Sequence, residues 1–75
     1  MRVVTISVGQ REKEIPDVQR ILTKYGENIY SRIGYHNIGK DSKGLIIVVY
    51  TGEDEKEFCK ELKEIENIKV NCMEI

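Results

Sequence analysis

The chain has 75 residues, 40% hydrophobic and 33% charged, and its twelve Lys and Arg against thirteen Asp and Glu leave a net charge of −1. That balance excludes a disordered chain and predicts one folded domain over residues 1–75, with no long-range attraction for nucleic-acid backbones or anionic lipid. No run reaches the roughly 18 apolar residues of a membrane span, and the N-terminus lacks the charged-then-apolar pattern of a secretory leader, so the expected location is cytoplasmic, with no membrane contact.

From Arg2 to Val8 the residues alternate, with Val4, Ile6 and Val8 on one face and Val3, Thr5 and Ser7 on the other, which predicts a first strand. Gly9 breaks the run. Ile15, Val18, Leu22 and Tyr25 then step by 3, 4 and 3, the spacing of one helical face. Pro16 would cost about 3 kcal/mol in mid-helix but nothing in the first turn, so the helix begins between Glu12 and Ile15. Gly26 is positioned as its C-terminal cap.

Ile29 to His36 reads as a second strand, with Ile29, Ser31, Ile33 and Tyr35 on one face and Tyr30, Arg32, Gly34 and His36 on the other. After a turn-rich segment from Asn37 to Lys43, a third strand runs from Leu45 to Tyr50, apolar on both faces and therefore central. Phe58, Leu62 and Ile65 step by 4 and 3 along a second helix from Glu53 to Glu64, with Cys59 beside them. A fourth strand spans Ile68 to Ile75.

The order βαββαβ is the ferredoxin-like split unit, an α+β sandwich with an antiparallel four-stranded sheet and two helices on one face. Strands one and three take the middle of the sheet. The helices then leave Val3, part of strand three, Met73 and Ile75 as an apolar patch on the open face, and such a patch marks an interface. A domain this small buries only about 60% of its unfolded surface. Pairing through the sheet adds burial, and a homodimer or homotetramer is expected.

Lys43, Gly44, Val48 and Tyr50 fit the third-strand signature of an RNA-recognition motif, which shares this topology. Its base-stacking positions carry Leu45 and Ile47, which offer no π-face, so RNA binding ranks third among the functional readings. His36 is the sole histidine, at the end of strand two, where it can serve as a ligand contact or a pH-sensitive group. Stable metal sites need three or four ligands, and Cys59 and Cys72 are expected to face the core as buried, inert thiols, so no metal site is expected.

Gly9, Gln10 and Arg11 lie where free backbone N–H groups at a helix start can hold a carboxylate or phosphate. Arg32, flanked by Tyr30 and Gly34 on the face expected to point away from the helices, is a candidate contact for an anion or an opposing subunit. No Ser-His-Asp order and no recognisable carboxylate pair is present, and Glu53 to Glu64 alternates acids with lysines as a solvated helix face with pairs such as Lys60 and Glu64. The chain is expected not to be an enzyme, and its sequence specifies no cofactor.

The passage from strand one into Arg11-Glu12-Lys13, and from Ile29 through Ser31-Arg32-Ile33-Gly34-Tyr35 into a long aliphatic strand, resembles the iron-only hydrogenase system regulators over nearly the whole length. Arg32-Ile33-Gly34-Tyr35, preceded by the Gly26 turn, is the most specific stretch. The resemblance implies an ACT-like fold, similar to the C-terminal sensing domain of nickel-responsive repressors, and a regulatory role beside hydrogenase maturation. Those repressors carry a His-x-His pair on strand two and a cysteine at the start of strand three. Here Gly34 and His36 occupy the first and Lys43-Gly44 the second, so nickel sensing does not carry over. The chain starts directly with strand one, without the repressors' ribbon-helix-helix, so no direct DNA binding is expected.

ACT-like domains, by the same resemblance, hold amino acids or other small effectors at subunit interfaces through the turn after strand one, which maps onto Gly9, Gln10 and Arg11. The leading expectation is a non-enzymatic regulator of the iron-only hydrogenase system that oligomerises through its sheet. It would bind a small anionic or amino-acid-like effector with Gly9, Gln10, Arg11, Arg32 and His36, and take a hydrogenase-system protein as partner. The second reading is a protein-docking module without a ligand.

Overall fold

Val4, Ile6 and Val8 are buried and their alternates are only partly so, which fixes the inner face of β1 (Arg2–Val8) as the sequence alternation requires. A computed structural model describes residues 1–9, 12–38 and 43–75. After β1 come α1 (Ile15–Lys24), β2 (Ile29–Ile38), β3 (Lys43–Tyr50), α2 (Glu55–Lys63) and β4 (Ile68–Glu74). The strands form one sheet in the order β2-β3-β1-β4, every neighbouring pair antiparallel. This is the ferredoxin-like α+β fold, with β1 and β3 central as expected.

Both helices lie against one face. Val18, Ile21 and Leu22 of α1 and Phe58 and Leu62 of α2 are buried against Val4, Ile6, Val48 and Tyr50. A 3₁₀ turn over Glu12–Glu14 leads into α1, and Pro16 sits in its first turn, where the missing N–H has no partner to lose. Gly26 is not a left-handed cap. The Tyr25 N–H donates to Ile21 O and the chain tightens into a second 3₁₀ turn, Gly26–Asn28, so no positive φ is required there. Asn67 takes that conformation instead, with φ 65° just before β4, a position its short polar side chain tolerates.

Two expectations about strand two are corrected. The β2–β3 hairpin extends through the Ile38–Lys43 pair, so both strands reach into the segment read as a turn, whose centre, residues 39–42, lies outside the described residues. More consequentially, Ile29 pairs with Tyr50 and Ser31 with Val49, leaving Tyr30 as an extra residue. This bulge turns Ile29 into the core and reverses the facing of Ser31 through Tyr35, before a second register shift between Tyr35 and Ile38. Arg32 and Gly34 therefore lie on the helix side of the sheet, while Ile33 and Tyr35 point to the open face.

A third correction concerns the cysteines. Cys59 on α2 and Cys72 on β4 do face the helix-covered side, but they are joined as a disulfide, with Cα atoms 6.4 Å apart, and are not inert thiols.

At one end of the core Tyr50 stacks on Phe58 with ring centroids 4.3 Å apart, and Tyr25 tilts against Phe58 at 5.3 Å. The Tyr50 hydroxyl donates to Asp54 Oδ1 (2.6 Å), to which the Asn28 amide also donates (3.3 Å). Gly52 passes so close to this cluster that a Cβ there would lie 2.6 Å from Asn28 Nδ2 and nearer still to Asp54 Oδ1. Gly52→Ala is expected to push both groups out of register and cost about 1–3 kcal/mol, read as a lower denaturant midpoint at unchanged slope.

Burial, seconded by the hydrogen bond to Asp54, pushes the Tyr50 phenol up to about 12. An unfolded tyrosine ionises near 10, so between 10 and 12 the folded state holds the proton that the unfolded state has lost. The Tyr50 contribution is complete below pH 10 and fades as the pH rises toward 12. Thermal melts across that range should show stability falling, with a shallower fall in Tyr50→Phe. Tyr25 is also raised to about 12, by its hydrogen bond to Glu61, whose own carboxyl is lowered by Tyr25 and Lys24.

Candidate functional site

Residues Arg32, Gly34 and His36 follow one another on the same face of β2, and α1 leaves them partly uncovered. The result is a groove of about 210 Å³ whose floor is Val8, Ile15 and Ile46 and whose rim carries Arg32, His36 and Gln19. The Arg32 guanidinium is held in place there, its Nη2 donating to Gln19 Oε1 at 2.9 Å. Gly34 keeps the groove open, because no atom lies within 4 Å of where its Cβ would stand. Among the described residues no acidic side chain lines it. The chemistry offered is a cation held by Gln19, an imidazole and an apolar floor, suited to a small anion carrying an apolar body, in a volume smaller than the roughly 300–1,000 Å³ of a drug-sized site.

Of the residues marked in the sequence, the structure brings Arg32 and His36 together. Gly9 is exposed at the end of β1, adjoining Val8 in the groove floor, and Gln10 and Arg11 lie outside the described residues. Gln19 and Ile15 were not anticipated. The helical spacing showed only that Gln19 follows the buried Val18, and placing it beside Arg32 requires the bulge in β2. Among the described residues no three His, Cys, Asp or Glu side chains are arranged to hold a metal, and no helix is long and apolar enough to cross a membrane.

A larger concavity of about 560 Å³ opens between the ends of α1 and α2, but its charges are engaged with one another or mixed in sign. Arg20 approaches Asp17, and Glu61 is taken by Lys24 and Tyr25.

The second feature is the open face of the sheet. The registers set Ser31, Val49, Val3 and Met73 in one cross-strand row, Ile33, Ile47, Thr5 and Asn71 in the next, and Tyr35, Leu45, Ser7 and Lys69 in a third. Ile33 is 49% exposed, Tyr35 46%, Met73 59% and Ile75 73%. In a chain that is one-third charged, these rows hold a single charge, Lys69 at one corner. The predicted patch is thus present, and the bulge enlarges it by adding Ile33 and Tyr35.

Element order and sheet topology define a small ferredoxin-like α+β domain. No family model and no curated protein matches the sequence. Among solved structures the chain is similar to the uncharacterized protein TM1266 from Thermotoga maritima, with 27% identity and a TM-score of 0.84 over 96% of this chain and 91% of that one. It is also similar in fold to part of a formyltetrahydrofolate deformylase from Pseudomonas putida KT2440, with 14% identity and a TM-score of 0.71 over 99% of this chain and 28% of that one. An unknown protein from Galdieria sulphuraria gives 17% identity and a TM-score of 0.67 over 96% of this chain and 42% of its own.

Proposed function

We propose that this chain is a non-enzymatic regulatory module that pairs with a second copy of itself through the open sheet face and responds to a small anionic effector held by Arg32 and His36. The observation that carries this reading is the uncharged, half-exposed apolar face formed by Ile33, Tyr35, Ile47, Val49 and Met73. A face of that composition is worth most when a like face covers it, and two sheets stacked about 10 Å apart interdigitate their side chains. The groove lies on the other side of the same edge strand, so an occupant that orders β2 changes the cost of pairing. Effector binding would then favour one assembly over another by its difference in affinity for the two.

The iron-only hydrogenase system is the setting this proposal takes from Arg32-Ile33-Gly34-Tyr35, and a protein of that system is the partner it names.

Thermal stabilisation by a panel of amino acids and small carboxylates tests the effector. At a concentration 100 times Kd a ligand adds about 2.7 kcal/mol. The wild type is expected to gain stability with at least one compound, whereas Arg32→Ala and Gly34→Val, which respectively remove the cation and fill the groove, should lose that gain while keeping their assembly. Stabilisation by none of the panel, with assembly intact, would favour the docking module without a ligand.

A further inference from the structure

At the opposite edge of the sheet a second groove, of about 420 Å³, opens over the disulfide between α2 and β4. Among the described residues its walls carry Arg2, Lys56, Lys60 and Lys63 against the one carboxylate of Glu64. Arg2 is taken up by Glu55 and Glu74, but none of the three lysines makes an ion pair among the described residues. Lys56 stands three residues before Cys59 and Lys63 four after it, so helical geometry puts both on the cysteine's face. Cys59 is 7% exposed and Cys72 is half-buried, so the groove gives a small molecule more access to Cys72.

We propose that the Cys59–Cys72 pair is a thiol–disulfide exchange site for small anionic thiols. The thiolate of the small molecule attacks Cys72 Sγ, a mixed disulfide forms, and Cys59 leaves as a thiolate beside Lys56 and Lys63. A second small thiolate then attacks the small molecule's own sulfur in that mixed disulfide and releases Cys72. The protein disulfide has gained two electrons, two small thiols have become one disulfide, and the two protons they gave up reside on the cysteines. The reverse sequence re-forms the bond. Lysines beside the site favour both the anionic attacker and the departing thiolate. This site is separate from the sheet-face pairing and does not depend on it.

The test compares glutathione, which is anionic, with cysteamine, which is cationic, each rate being normalised to that thiol's reaction with a small neutral disulfide. Progress is read as the fraction of Cys59 and Cys72 that can be alkylated and weighed by mass spectrometry. At low salt glutathione is expected to be about tenfold faster, an advantage lost at high salt and in the variant K56Q/K60Q/K63Q. Oxidised glutathione should restore the bond. Equal rates, an advantage insensitive to both salt and the lysine variant, or cysteines that stay reduced in oxidised glutathione would each overturn the proposal.

Discussion

Ile33→Asp is expected to turn the protein into a monomer with its fold intact. The side chain is half exposed within one protomer, so a carboxylate there meets water and costs the fold little. Under a second sheet the same carboxylate would be buried among apolar side chains such as Ile47 and Val49, at about 3 kcal/mol or more. A two-fold pairing places it twice, so the affinity between copies should fall by about four powers of ten. Sedimentation velocity reads the assembly and circular dichroism the fold. An assembled Ile33→Asp would show that the open face is not the contact. Arg32→Glu, on the other side of the same strand, is the control: it should leave pairing in place.

Removing the disulfide should have the largest effect on stability. Cys59 and Cys72 are 13 residues apart, and a cross-link closing a loop of about that size contributes about 3 kcal/mol through the unfolded chain. For a domain this small that corresponds to a drop in Tm of about 12–24 °C in the double variant Cys59→Ser, Cys72→Ser, or in wild type kept reduced. The contribution is large because β4 is an edge strand, bonded to β1 on one side only and held to α2 by this link and the packing around it. A double variant that melts within a few degrees of the oxidised wild type would mean that packing of Ile68 and Val70 already holds the strand.

Much of the fold can be read from spacing alone. Val4, Ile6 and Val8 at period two, and Val18, Leu22, Phe58 and Leu62 at helical period, are all buried, because burying one face is what makes each element stable. Central placement of β3 followed from its being apolar on both faces; the helices cover one of them, and the other lies on the open side of the sheet. The facing of β2 could not be read in this way. Its alternation is regular from Ser31 to Tyr35, but one extra residue at Tyr30 decides which set points inward, and a bulge depends on strand pairing and leaves no spacing signal.

The site was legible in the same partial sense. Arg32, Gly34 and His36 were recognisable as one face of a strand, but their meeting with Gln19 and Ile15 needs the tertiary packing of α1. Cys59 and Cys72 sit on different elements, each with reason enough to be buried, so their pairing was set by the register of β4 against β1 and the position of α2, and by nothing local.

Native mass spectrometry of the gently purified, untagged protein probes the pairing of open sheet faces most directly. An even-numbered oligomer that falls apart in Ile33→Asp and persists in Arg32→Glu is the expected result, and any additional mass retained by the oligomer would begin to identify the effector. A wild-type protein that flies and sediments only as a single chain at micromolar concentration would contradict it.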